Sequence, residues 1–168
     1  MKETALPLGE MLRRVMRRWV TGVTVVTSAH GENRHGMTVN SFVSISLDPP
    51  LVAVTLNSDT RTFNLVRQSG IFAVTILSRV QEEIAQRFAG RGLVGEERLA
   101  GVETFSLSTG APLLNGGVAF LDCHVVHQYE MRTSTLLVGE VLAAQAAGEG
   151  LPPLLYTNRA FTGLHDRT

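Results

Sequence analysis

A mainly β fold with short α connectors, a barrel or a sandwich, is what this sequence predicts. Three observations carry the prediction. Runs rich in β-branched and apolar residues recur at short spacing: "VTVVTS" from Val23, "LVAVTLN" from Leu51, "IFAVTIL" from Ile71, "VAFLDCHVVHQYE" from Val118 and "STLLVGEVLAA" from Ser134. Turn chemistry separates them, as in "HGENRH" from His30 and the Pro49-Pro50 break. Helical periodicity is confined to short stretches, without the regular strand-helix alternation of a doubly wound sheet.

The first element is helical. Leu8, Leu12, Val15, Met16 and Trp19 repeat at helical spacing, with Arg13, Arg14, Arg17 and Arg18 on the remaining face, before Gly22 closes the pattern. We read these arginines as a solvated face and assign them no site. "VTVVTS", the run from Gly36 to Leu47, and "LVAVTLN" then form an expected meander of three strands. A short helix is expected to start near Ser58, with Ser58 or Asp59 as its cap. Another starts at a capping box, Ser78 with Gln81 three residues on, and carries Val80, Ile84 and Phe88 as its apolar stripe up to Gly90.

At 168 residues and 44% hydrophobic content, the chain fits one domain spanning residues 1–168. Fifteen basic residues balance fifteen acidic ones, which leaves no global field to recruit nucleic acid or an anionic membrane. The single Cys123 excludes an intrachain disulfide and fits a reducing compartment. The N-terminal stretch lacks the apolar core of a signal peptide, and no run approaches a membrane span, so a soluble, cytoplasmic protein is expected.

Several familiar patterns fail their context. "GRGLVG", Gly90 to Gly95, matches a dinucleotide fingerprint, but it follows a helix, and no Asp or Glu occurs between Glu103 and Asp122, where the ribose-binding acid belongs. Cys123, His124 and His127 resemble a metal cluster until strand geometry is applied: Cys123 and His127 then share a face but stand ~13 Å apart, and His124 points away. No metal site is expected. No nucleophile elbow, Walker loop or zinc-protease motif occurs, and no catalytic acid, base or nucleophile stands out. Such silence suits a protein whose cofactor carries the chemistry.

The stretch "GMTVNSFVSISLDPPLVAV", Gly36 to Val54, reads as β-structure and yet shows no charge before Asp48. With period two, Met37, Val39, Val43, Ile45 and Leu47 share a core face with Ser41, and Thr38, Asn40, Phe42, Ser44 and Ser46 take the other. An uncharged polar face suits an isoalloxazine ring, whose edge alternates donors and acceptors, or it is simply an amphipathic strand. Next, "NSDTRT", Asn57 to Thr62, leaves a strand and enters a helix, gathering hydroxyls and Arg61 near free backbone N–H groups. That is either a phosphate site or an ordinary cap.

These segments together, with "QEEIAQRFAG", "APLLNGGVAFLDCHV", "LLVGEV" and "PLLYTNRAFTGL", resemble the flavin reductase family of FMN-binding split barrels over nearly the whole chain. The resemblance implies a Greek-key FMN-binding split β-barrel, a homodimer, and hydride transfer from NADH or NADPH to FMN or FAD. In many relatives the reduced flavin passes to a partner monooxygenase. By motif position, Gly36, Met37, Thr38, Asn40 and Ser41 meet the isoalloxazine, with Ser46 on the same stretch. Thr55, Leu56, Asn57 and Ser58 continue that wall, Arg61 and Thr62 hold the ribityl phosphate, and Arg87 with Phe88 complete the flavin site. Tyr156 to Arg159, "YTNR", is similar to the segment that approaches the nicotinamide nucleotide.

One departure stands out. Relatives often carry Gly-Asp-His before the "VGEV" strand, where this chain has Arg132, Thr133, Ser134 and Thr135. Either Arg132 grips a phosphate and favours NADPH, or nicotinamide turnover is weak and the protein is a flavin-binding electron-transfer or carrier module.

Overall fold

A seven-stranded antiparallel sheet whose two edges are joined by three residues determines the architecture. The computed structural model describes residues 6–90, 98–148 and 150–164. Helix α1 spans Leu8–Met16. It leads into β1 (Thr21–Gly22), β2 (Thr24–His30), β3 (Asn33–Val39), β4 (Val43–Leu47) and β5 (Pro50–Asn57). Helix α2 (Arg61–Ser69), β6 (Ile71–Ile76), a 3-10 turn (Arg79–Gln81) and α3 (Glu82–Phe88) follow. The remaining strands are β7 (Thr104–Phe105), β8 (Leu113–Leu114), β9 (Ala119–Glu130), β10 (Ser134–Ala146), β11 (Leu155–Thr157) and β12 (Ala160–Thr162).

The large sheet runs β3-β2-β6-β9-β10-β5-β4. Laid flat, seven strands at ~4.8 Å spacing would hold β3 and β4 about 29 Å apart. Only Asn40, Ser41 and Phe42 connect them, and the four steps from Val39 to Val43 reach at most ~14 Å. The sheet must therefore curl until its edges approach, which gives a barrel left open along one seam, a split barrel. Val26, Val54, Leu56, Phe72, Val74 and Leu137 fill its interior. A second cluster, with Val23, Val25, Leu77, Phe88 and Leu154, lies under α3.

The expected three-strand meander is corrected here: Gly36 to Leu47 is not one strand but parts of two, at opposite sheet edges. The phase of alternation changes at the break. Met37 and Val39 pack on the barrel core as expected. Beyond the break Phe42, expected on the polar face, packs on the core, and Val43, Ile45 and Leu47, expected inside, are exposed. A register shift between Ser44 and Ser46 adds to the change.

The helices show smaller corrections. The cap of α2 is Thr60, whose Oγ1 accepts from Phe63 N–H, and not Ser58 or Asp59. The Ser78–Gln81 capping box forms, but Val80 is exposed because the first turn is 3-10 and rotates it outward. Helix α1 ends at Met16 and buries none of its residues. In β9 the register against β10 shifts between Val138 and Gly139, leaving Val126 as an extra residue. Cys123 is consequently buried and His127 exposed, so they do not share the face expected of them. Burial, with Asp122 adjacent, pushes the Cys123 thiol up to about 12. The "GRGLVG" motif lies outside the described residues beyond Gly90.

Candidate functional site

The site is built on the break between β3 and β4. Gly36 and Thr38 turn toward α3: an added Cβ on Gly36 would meet the Phe88 ring at 2.9 Å, and Thr38 Oγ1 donates to the Ala85 carbonyl at 2.7 Å. This face is thus partly covered by a helix. Asn40 and Ser41 follow in open backbone and are exposed. Ser41 Oγ donates to the Thr55 carbonyl at 2.8 Å and accepts from Thr55 N–H at 3.2 Å, which stitches the seam to β5.

A cleft of about 190 Å³ opens there, lined by Val23, Thr38, Val39, Asn40, Gln86, Ala89, Tyr156 and Phe161. Valine side chains and two aromatic rings, whose centroids stand 5.3 Å apart, offer apolar cover. Thr38, Asn40 and Gln86 supply amides and a hydroxyl. Apolar walls with a few polar groups at the rim fit a planar heteroaromatic ring with donors and acceptors on its edge. Thr21 Oγ1, on the strand paired with Tyr156, is shielded from solvent without a hydrogen-bond partner.

The other expected residues are distributed around this centre. Met37 is half-buried on the barrel core and Leu56 is fully buried, so both back the wall instead of surfacing it. Ser46 lies in β4 with its hydroxyl donating to the Pro49 carbonyl. Thr55 is half-buried and Asn57 exposed at the end of β5. Ser58 shares a hydrogen bond with Thr135 Oγ1 at 3.0 Å and donates its N–H to Thr133. Residues 132–135 therefore brace the start of the α2 turn.

Arg61, the first residue of α2, lines a separate cleft with Glu32, Asn33, Arg34, Leu99 and Ala100. Thr62 is completely buried and its hydroxyl is bonded to His35 Nδ1 at 2.8 Å, which leaves its side chain no reach toward a ligand. Arg87 Nη2 donates to the Ala100 carbonyl at 2.5 Å. Phe88 is wholly buried, a packing residue behind Gly36. Arg159 is exposed in the turn after Tyr156.

Sequence reasoning missed Gln86, Ala89, Phe161 and Arg98. Gln86 and Ala89 stand three apart on one helix and so share a face, a signal that was readable. Arg98 carried none: it clamps the carbonyls of Gly36 at 3.2 Å and Phe88 at 3.0 Å, and burial lowers its pKa. Among the described residues no group of three His, Cys, Asp or Glu is placed to hold a metal, and no helix is long and apolar enough to cross a membrane.

Residues 16–165 match the flavin reductase like domain. The chain belongs to that family. An NADH-dependent FMN reductase of Streptomyces nodosus subsp. asukaensis is 39% identical over 163 residues, covering 92% of this chain and 84% of the relative. The reductase component of 4-hydroxyphenylacetate 3-monooxygenase from Thermus thermophilus is 32% identical over 155 residues, covering 92% and 96%. Among solved structures, an NADH:FAD oxidoreductase of Streptomyces globisporus C-1027, in complex with NAD and FAD fragments, superposes with a TM-score of 0.86 at 34% identity, covering 97% of each chain. The split-barrel frame of this flavin reductase family member is accordingly shared with its relatives along nearly its full length.

Proposed function

We propose that this chain is an NAD(P)H:flavin oxidoreductase, acting as one domain, that transfers hydride from a nicotinamide nucleotide to FMN or FAD and supplies the reduced flavin to a partner monooxygenase. One observation supports this above others. The cleft at the β3–β4 break is lined jointly by Thr38 and Asn40, which the family resemblance gives to the isoalloxazine, and by Tyr156, which it gives to the nicotinamide nucleotide. Residues that the resemblance gives to the two coenzymes thus line one space.

Bound together, flavin and nicotinamide nucleotide supply hydride acceptor and donor. The chain's own task is orientation. Tyr156 and Phe161, backed by the buried Val23 and Val39, would exclude water and give apolar cover, and Asn40 and Gln86 would hold ring edges by hydrogen bonds. Ser41, held at both ends of the Thr55 peptide, keeps the seam rigid. None of these groups has to change protonation state, which accounts for a site without acid or base.

We further propose a homodimer, supported by the exposed apolar side chains of α1 and β4, Leu8, Leu12, Val43 and Leu47 among them, and a cytoplasmic location, supported by the buried, unpaired Cys123. A carrier role with little nicotinamide turnover is the second reading, favoured by the use of Thr133 and Thr135 in bracing Ser58. Steady-state oxidation of NADH and NADPH, each with FMN and with FAD, separates the two. The reductase reading expects turnover with at least one pairing. Flavin binding without oxidation of either nucleotide would leave the carrier reading.

A further inference from the structure

The arginines in and just after α1, read from the sequence as a solvated face, border a cavity. Arg14, Arg17 and Arg18 line a cleft of about 480 Å³ with Thr157 and Asn158. Among the described residues no carboxylate lines it, and Glu10, the acid of α1, is engaged with Arg13 at 2.7 Å. Arg17 Nε is shielded from solvent and has no hydrogen-bond partner. A shielded donor without a partner is unfavourable, and an acceptor-rich ligand would satisfy it.

The backbone holds this arrangement in place. Asn158 N–H donates to the Arg17 carbonyl at 2.8 Å, and Thr157 Oγ1 reaches the same oxygen at 3.4 Å. The end of α1 is thereby fastened to the β11–β12 hairpin, and the carbonyl there is already satisfied, so the guanidinium groups are not needed to cap it. The hairpin turns on Asn158 and Arg159, with φ of 47° and 65°, a left-handed conformation that costs free energy at non-glycine residues.

Position selects the ligand. Tyr156 lines the ring cleft, and Asn158, two residues along, lines the arginine cleft. Both clefts therefore border the same β11–β12 hairpin, within two residues of one another. Planar guanidinium forks match phosphate oxygens bidentately. We propose that the cleft between α1 and the β11–β12 turn is the phosphate subsite for the hydride donor, in which Arg14, Arg17 and Arg18 hold the pyrophosphate of the nicotinamide dinucleotide while its nicotinamide enters beside Tyr156. This rests on the reductase reading.

The test is an Arg14→Ala/Arg18→Ala double variant, which removes no buried side chain because both residues are exposed. Calorimetry with inorganic pyrophosphate and with NAD⁺ is expected to show binding to the native protein that the variant weakens by about tenfold or more, with KM for NADH rising in parallel. FMN affinity and kcat stay unchanged, reduced nicotinamide mononucleotide is affected less than NADH, and Arg14→Lys/Arg18→Lys retains part of the binding that the alanine pair loses. Unchanged KM in a native-like active variant, or no pyrophosphate binding by the native protein, overturns the proposal. A loss confined to NADPH also overturns it, by assigning the cleft to a 2′-phosphate. Pyrophosphate binding by a protein that oxidises neither nucleotide would sink the reductase reading and leave an anion site.

Discussion

Gly36 shows how a residue with no side chain can govern a site. An added Cβ would stand 2.9 Å from both the Phe88 ring and Thr27 Cγ2, and Phe88 is wholly buried, so neither neighbour has room to withdraw. Overpacking of this kind costs ~1–3 kcal/mol. Gly36→Ala is expected to lower Tm by several degrees, at roughly 2–4 °C per kcal/mol for a chain of this size, and to weaken flavin binding by displacing Thr38. An unchanged melting curve would show that α3 does not pack on β3 this closely. At this scale the sequence was half legible: the motif pointed to Gly36, Thr38 and Asn40, but only packing reveals that Phe88 and Thr62 serve from inside the fold. Burial depends on partners distant in sequence, and neither Arg98 on the Gly36 carbonyl nor His35 on Thr62 leaves a local pattern.

At the scale of elements, the strands from Leu51, Ile71, Val118 and Ser134 were readable because each is a continuous β-rich run with turn chemistry at its ends. The run from Gly36 to Leu47 was not, because nothing in its alternation marks Asn40 to Phe42 as a passage between opposite sheet edges. The consequence is an apolar outer face on an edge strand: Val43 is 54%, Ile45 50% and Leu47 89% exposed. An unpaired edge with such a face invites pairing with another chain. Sedimentation velocity at micromolar concentration is expected to show a dimer for the native protein and a shift toward monomer for Leu47→Asp. A native protein that sediments as a monomer removes the homodimer proposal.

For the whole molecule, the balanced charge and a ring cleft whose described lining carries amides, a hydroxyl and apolar groups have one physical meaning. The barrel contributes shape, and the hydride carriers contribute reactivity. The cleft between β3, α3 and the β11–β12 hairpin brings apolar cover and ring-edge partners together, an arrangement suited to aligning planar rings and unsuited to proton transfer. The most direct test is an anaerobic single-turnover experiment in which flavin-loaded protein is mixed with NADH or with NADH deuterated at C4, and flavin bleaching is followed across neutral pH. The account predicts bleaching that is slowed by deuterium and flat with pH. Bleaching that follows a protein pKa, or none with any nucleotide, would contradict it.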